Sequence, residues 1–220
     1  MQLCVLDLSI AGPVVGTLAF LDVVLHVVLD LKKIRSRQVS EIQEPDTSVP
    51  TAAMAAIGVS TLLYFLVVFS ISLAWLLSSE QVLFLWVIPV IDVPCPLWAA
   101  GMTILSVGIL LHGWSRLARR NMASSWAMAP GHRLVQTGPY SRIRHPSYAA
   151  YMLSFLGLPL MVPSVVTLVI LVGIPGYYYA TVPEEELLVS RFGDEYGKYV
   201  AHTGKFLPRA RKKQAVRPKP

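Results

Sequence analysis

The chain has 220 residues, of which 54% are hydrophobic and 15% charged, with a formal net charge of +6 and a mean hydropathy of +0.55. Soluble domains carry about 25% charged residues, so this balance excludes an ordinary water-soluble enzyme and makes a lipid bilayer the expected solvent. No nucleic-acid partner is expected, because the positive charge is spread along membrane-flanking segments.

The first apolar stretch runs from Ile10 to Leu31 and predicts a membrane span. No positive charge precedes it and Asp7 is the one charge before Asp22, which fits a signal-anchor with an external N-terminus better than a cleavable signal. Asp22, His26 and Asp30 share one helical stripe of this span. Ionisable groups inside a membrane are costly, so they line an acceptor tunnel or proton path, or else hydrogen-bond neighbouring helices.

Residues 32–52 form a connector, charged at first and turn-like around "EPDTSVP". The second span is expected from Ala53 to Leu77 and the third from Leu97 to Gly113, with the apolar, Pro89-interrupted stretch 82–93 between them read as interfacial. His112, beside Trp114, suits either a polar inter-helix contact or an interface anchor. Ala149 to Ala180 is too long for one crossing and holds Pro159, Pro163 and Pro175, which predicts a hairpin with arms Tyr148–Pro159 and Ser164–Ala180. The following "PEEELLVSRFGDEYGKYV" predicts a separate amphipathic helix, with Leu188, Phe192, Tyr196 and Tyr199 or Val200 on one face.

All 19 lysines and arginines fall within 32–37, 116–144 and 191–219. Five crossings with the N-terminus outside put all three segments on the cytoplasmic side, in accord with the positive-inside rule, and a sixth would break that agreement. Cys4 and Cys95 then lie outside, either unpaired or bridged to each other. The expected architecture is an all-α integral membrane protein of five helices, with a C-terminal helical hairpin and a cytoplasmic cofactor pocket. Residues 1–113 supply helices 1–3, 114–208 the core of the activity, and 209–220 a disordered basic tail attracted to anionic headgroups.

The sequence lacks a glycine-rich strand-to-helix turn, a phosphate loop, a serine elbow and a zinc-type His/Cys cluster, and no resident metal is expected. What remains is "GHRLVQTGPYSRIRHPSY" before the hairpin and "PEEELLVSRFGDEYGKY" after it. Because a hairpin returns its ends to one face, Arg142, Arg144 and His145 can meet Glu184 and Glu185 there. Singly, the arginines read as headgroup anchors, His145 as a helix cap and the glutamates as helix-dipole partners. Together they offer cations for a carboxylate and anions for an ammonium group.

The run His132, Leu134, Val135, Gly138 and Tyr140, the box Arg144, His145, Pro146 and Tyr148, and the distal Glu184, Glu185, Leu188, Phe192, Gly193 and Tyr196 resemble, in order and spacing, the isoprenylcysteine carboxyl methyltransferase family and its wider membrane relatives. The small residue after the box, often glycine in relatives, is Ala149 here. The resemblance covers about the last ninety residues and looks most like the compact prokaryotic branch. It implies S-adenosylmethionine as cofactor, bound by His132, Leu134, Val135, Gly138, Tyr140, His145, Pro146, Tyr148, Glu184 and Glu185, with Arg144 and Glu185 catalytic. The acceptor it implies is lipophilic, enters from the bilayer, and most resembles an isoprenylcysteine carboxylate. Such an acceptor is ionised at pH 7 and needs alignment rather than a base. A lipid amine is the alternative acceptor, and Glu185 or His145 would then take its proton. Outside enzymes, a non-catalytic membrane protein is the competing class.

Overall fold

In a computed structural model, residues 3–4, 6–35, 48–79, 81–84, 91–119 and 133–209 are described. In chain order these give β1 (Leu3–Cys4), α1 (Leu8–Arg35), α2 (Thr51–Leu76), α3 (Gln81–Phe84), β2 (Val93–Pro94), α4 (Cys95–Arg119), α5 (Pro146–Met161), α6 (Val165–Ile170) and α7 (Gly173–His202). A short 3-10 turn over Gly138–Ser141 precedes α5. Among the described residues the protein is all-α apart from a two-residue antiparallel pairing of β1 with β2 and a single parallel bridge between Ile143 and Gly204. Cys95, adjoining β2, is disulfide-bonded.

Among the described residues, four stretches are long and apolar enough to cross a bilayer: Leu8–Lys32, Thr51–Leu76, Cys95–Arg119 and Val165–His202. The first three match the expected spans. The fourth expected crossing, the first hairpin arm, already short for a full span by sequence, is α5, whose 16 residues rise only about 24 Å against the roughly 30 Å hydrocarbon core. Pro159 does not end this arm, which runs on to Met161. The hairpin turns at residues 162–164 and returns through α6, where Ser164 and Thr167 cap each other: Thr167 N donates to Ser164 Oγ at 3.2 Å and Ser164 N to Thr167 Oγ1 at 2.9 Å.

The amphipathic helix expected to begin at Pro183 is not separate. It continues the returning arm as α7, with Pro183 inside and the break displaced to Gly193, at φ 48° and ψ −120°. A proline in a helix forfeits one backbone hydrogen bond, which buried side packing can outweigh, whereas φ near +50° strongly favours glycine.

The most extensive helix contact is α4 on α5. Small residues allow it: a Cβ on Gly157 would stand 2.5 Å from Leu105 N, and one on Gly101 would stand 2.8 Å from Gly157 O. Around this seam lie the buried Leu105, Ile109, Phe155, Leu158 and Met161, joined by Val67 and Ile71 of α2. A second, smaller cluster of Leu187, Leu188, Tyr196 and Tyr199 forms on α7, with Leu134, Phe192 and Val200 packed against it. The apolar face expected for this segment is the one it buries.

Candidate active site

Residues 133–145 reach α5 through a tight turn. Gly138 has φ +61°, a conformation that a side chain would resist, and Pro139 follows in the 3-10 turn. The chain then runs parallel to the segment that follows α7. Gly204 N donates to Arg142 O at 3.1 Å, Arg144 N to Gly204 O at 2.9 Å, and His145 N to Lys205 O at 3.1 Å. Tyr199 adds a tether, its hydroxyl donating to Tyr140 O at 2.7 Å.

This backbone clamp aims the charged side chains. Arg144 Nε donates to Glu185 Oε1 at 2.9 Å and Arg144 Nη1 to Thr203 O at 2.9 Å. His145 Nε2 meets the same Glu185 oxygen at 3.0 Å, and Lys205 Nζ stands 3.3 Å from the other. His145 occupies the N-cap position of α5 without making a side-chain cap, so the helix-cap reading of its imidazole does not hold. Its ring lies nearly parallel to Tyr148, with centroids 5.6 Å apart. Through its other nitrogen, Nδ1, it faces Glu184 Oε2 at 3.7 Å, beyond hydrogen-bond reach.

Behind the cluster is a cavity of about 230 Å³ lined by Arg119, Tyr140, Arg144, His145, Ser147, Tyr148, Glu184 and, at its inner end, His112, Tyr151 and Tyr177. Among the described residues, three of its buried polar atoms have no hydrogen-bond partner: Arg119 Nε, Ser147 Oγ and Glu184 Oε2. A buried polar group left without a hydrogen bond costs about 1–3 kcal/mol, so a guanidinium nitrogen and a carboxylate oxygen both open to bonding in one cavity fit a ligand bearing both a carboxylate and an ammonium group. Burial pushes the Tyr140 phenol up, so its hydroxyl stays protonated at neutral pH.

His112 and Tyr151 are shared with a second hollow of about 390 Å³, a groove otherwise lined by Asp22, Val23, His26, Val27, Asp30, Leu31 and Phe65. Asp30 is ion-paired with Arg116, and His112 Nδ1 lies 3.0 Å from Asp22 Oδ2. The polar stripe of α1 thus bonds α1 to α4, one of the two roles expected of it, and it also borders this groove. Tyr151 stacks on Tyr177 at 5.2 Å, and Tyr177 touches Tyr148 at 5.2 Å, so aromatic rings separate the two hollows.

Of the residues expected at the site, Tyr140, Arg144, His145, Tyr148 and Glu184 line the cavity. Glu185 stands behind them and holds two in place. Leu134 packs on α7, Val135 is half-buried and Pro146 is buried at the start of α5, all three away from the lining, as is Gly138. His132 lies outside the described residues. Sequence reasoning missed Arg119, His112, Ser147, Tyr151 and Tyr177. Arg119 and Arg116, three apart in the last turn of α4, had been read only as membrane-flanking charge.

Residues 97–195 match the phospholipid methyltransferase family, which belongs to the same integral-membrane methyltransferase superfamily as the isoprenylcysteine carboxyl methyltransferases. The nickel-cobalt-cadmium resistance protein NccN of Alcaligenes xylosoxydans xylosoxydans is 34% identical over 110 residues, covering 50% of this chain and 47% of that protein. The cobalt-zinc-cadmium resistance protein CzcN of Cupriavidus metallidurans is 31% identical over 107 residues, covering 48% of this chain and 50% of its own length. The chain thus spans about half the length of the curated relatives it matches.

Proposed function

We propose that this chain, whose segment 97–195 carries the phospholipid methyltransferase match, transfers a methyl group from S-adenosylmethionine to a lipophilic acceptor, with residues 114–208 as its core. The observation that carries this reading is the presence in one cavity of Arg119 Nε and Glu184 Oε2, opposite in charge, buried and without a hydrogen bond among the described residues, beside a membrane-level groove. Methyltransferases of this family generally use that donor. When bound, it supplies an electrophilic methyl group on a sulfonium. Arg119 would hold its carboxylate and Glu184 its ammonium group, while Arg144, His145 and Glu185 keep the cavity wall fixed. The aromatic wall of Tyr148, Tyr151 and Tyr177 excludes water, which strengthens every charge interaction inside.

For the acceptor we propose first the carboxylate of an isoprenylcysteine-like lipid, which needs no base. A lipid amine is the second reading, favoured by Glu184, whose Oε2 has no hydrogen bond in the cavity and suits an ammonium group. Arg144 is committed through Nε and Nη1 to Glu185 and Thr203, which leaves it less free to hold an acceptor carboxylate. Should an amine be the acceptor, its proton would pass to His145 Nδ1, which points past Glu184 while Nε2 is engaged by Glu185. The orientation we propose, N-terminus outside and C-terminus cytoplasmic, keeps the site with the arginine-rich segments.

Calorimetric titration of detergent-purified protein with S-adenosylhomocysteine, the demethylated product, tests the donor site. Saturable binding of one ligand per chain, weakened by Glu185→Gln, is expected. No binding by protein shown to be folded would remove the donor reading. Labelled-methyl transfer to prenylcysteine or to aminolipid vesicles then separates the two acceptors. Both relatives are named for metal resistance, so growth under metal stress is where we would look for a phenotype.

A further inference from the structure

Where α1 and α4 face each other, Asp22, His26 and His112 converge at the wall of the groove. Asp22 Oδ2 stands 3.0 Å from His112 Nδ1 and 3.7 Å from His26 Nδ1. The two imidazoles are stacked with centroids 4.9 Å apart and planes within 10°, and one donor atom from each of the three residues lies within 4.8 Å of the others. His26 Nδ1 also reaches the carbonyl of Asp22 at 2.8 Å, which fixes its ring against its own helix. The arrangement joins residues 90 apart in sequence.

Helix pairing alone asks for less. His112 Nδ1 alone satisfies the Asp22 carboxylate, yet a second imidazole, His26, stands beside it with its Nδ1 turned to the Asp22 carbonyl. Ligand atoms at about 2.0–2.2 Å around a tetrahedral ion sit roughly 3.3 Å from one another, and the observed 3.0 and 3.7 Å bracket that spacing. Holding one ion would require His26 to give up its bond to the Asp22 carbonyl and both rings to turn out of their stack, so that each aims a ring lone pair at the metal. Asp30 would not join them, since Arg116 already holds it. Two imidazoles and one carboxylate suit zinc, cobalt or nickel, whereas calcium and magnesium take oxygen shells.

We propose that Asp22, His26 and His112 form a binding site for a divalent first-row transition metal ion, with its remaining coordination position open to the groove. The site is separate from the proposed donor contacts at Arg119 and Glu184 and stands whether or not the chain transfers methyl groups. It differs from the expectation that the chain holds no metal, which considered only the spacing of histidines and cysteines along the sequence.

The test uses tag-free, full-length protein in detergent, titrated with Co²⁺ while visible absorption is recorded. The expected result is saturation at one Co²⁺ per chain, with the intense d–d bands of four-coordinate geometry, abolished by excess Zn²⁺. Loss of a residue that merely orients a metal ligand costs about 10–100-fold in affinity, so Asp22→Asn and His112→Gln should each weaken binding by at least that much. His202→Gln, at the far end of α7, should leave it unchanged. Absence of a saturable four-coordinate spectrum in the parent protein would overturn the proposal, a result that needs no variant to fold. So would Asp22→Asn and His112→Gln proteins that bind Co²⁺ like the parent.

Discussion

One carboxylate oxygen of Glu185 receives both Arg144 Nε, at 2.9 Å, and His145 Nε2, at 3.0 Å, and so fastens α7 to the start of α5. Glu185→Gln keeps the shape and removes the charge that Arg144, His145 and Lys205 all face. Hydrogen bonds to charged groups contribute about 1.5–3 kcal/mol each, so thermal unfolding in detergent should show a loss of roughly that size. Binding of S-adenosylhomocysteine should fall at least about tenfold with it. Unchanged unfolding and binding would mean that the clamp is idle.

Arg119→Gln and Glu184→Gln address the cavity itself. Each should weaken S-adenosylhomocysteine by about 10–100-fold, the equivalent of one charge-assisted hydrogen bond. Methylthioadenosine, which lacks the amino-acid end, should bind both variants as it binds the parent. Equal losses for the two ligands would point to a collapsed cavity rather than to recognition of the amino-acid group.

Gly157→Val tests the seam between α4 and α5. With Leu105 N only 2.5 Å from where a Cβ would stand, and backbone unable to yield cheaply, the helices must part. Overpacking of this kind typically costs about 1–3 kcal/mol, readable as a lower midpoint in detergent unfolding. Gly58→Ala, in open space on α2, serves as the control and should be neutral or slightly stabilising.

Tyr199→Phe removes the hydroxyl that holds Tyr140 O. The net loss should be about 0.5–1.5 kcal/mol, with faster proteolysis at residues 133–141 as the local sign. A variant with parent-like cleavage in that stretch would show that the Gly204 and Lys205 backbone pairing suffices by itself.

The spans were legible because hydropathy is a local property: α1, α2 and α4 lie within a few residues of their expected limits. The order of Arg144, His145, Glu184 and Glu185 around a hairpin was legible too, since a turn fixes which ends meet. Pro183 misled because a proline was read as a helix start where α7 carries it through. Arg119, His112 and Tyr151 were illegible for a different reason. Each sits on an ordinary apolar helix and gains its place only from the α4–α5 contact, which is set by glycines distant in sequence. The Asp22–His112 pair likewise spans 90 residues, and no periodicity links its members.

The parallel pairing of Ile143 with Gly204 has a bearing on where the working unit stops. The family match closes at residue 195, yet the backbone that aims Arg144 and His145, the carbonyl of Thr203 that takes an arginine hydrogen bond, and the amine of Lys205 all come after it. A protein trimmed to the matched boundary would keep Arg144, His145, Glu184 and Glu185 and lose the brace that holds them in register. On the proposed reading, the ten residues that follow frame the site, and a minimal functional unit has to include them.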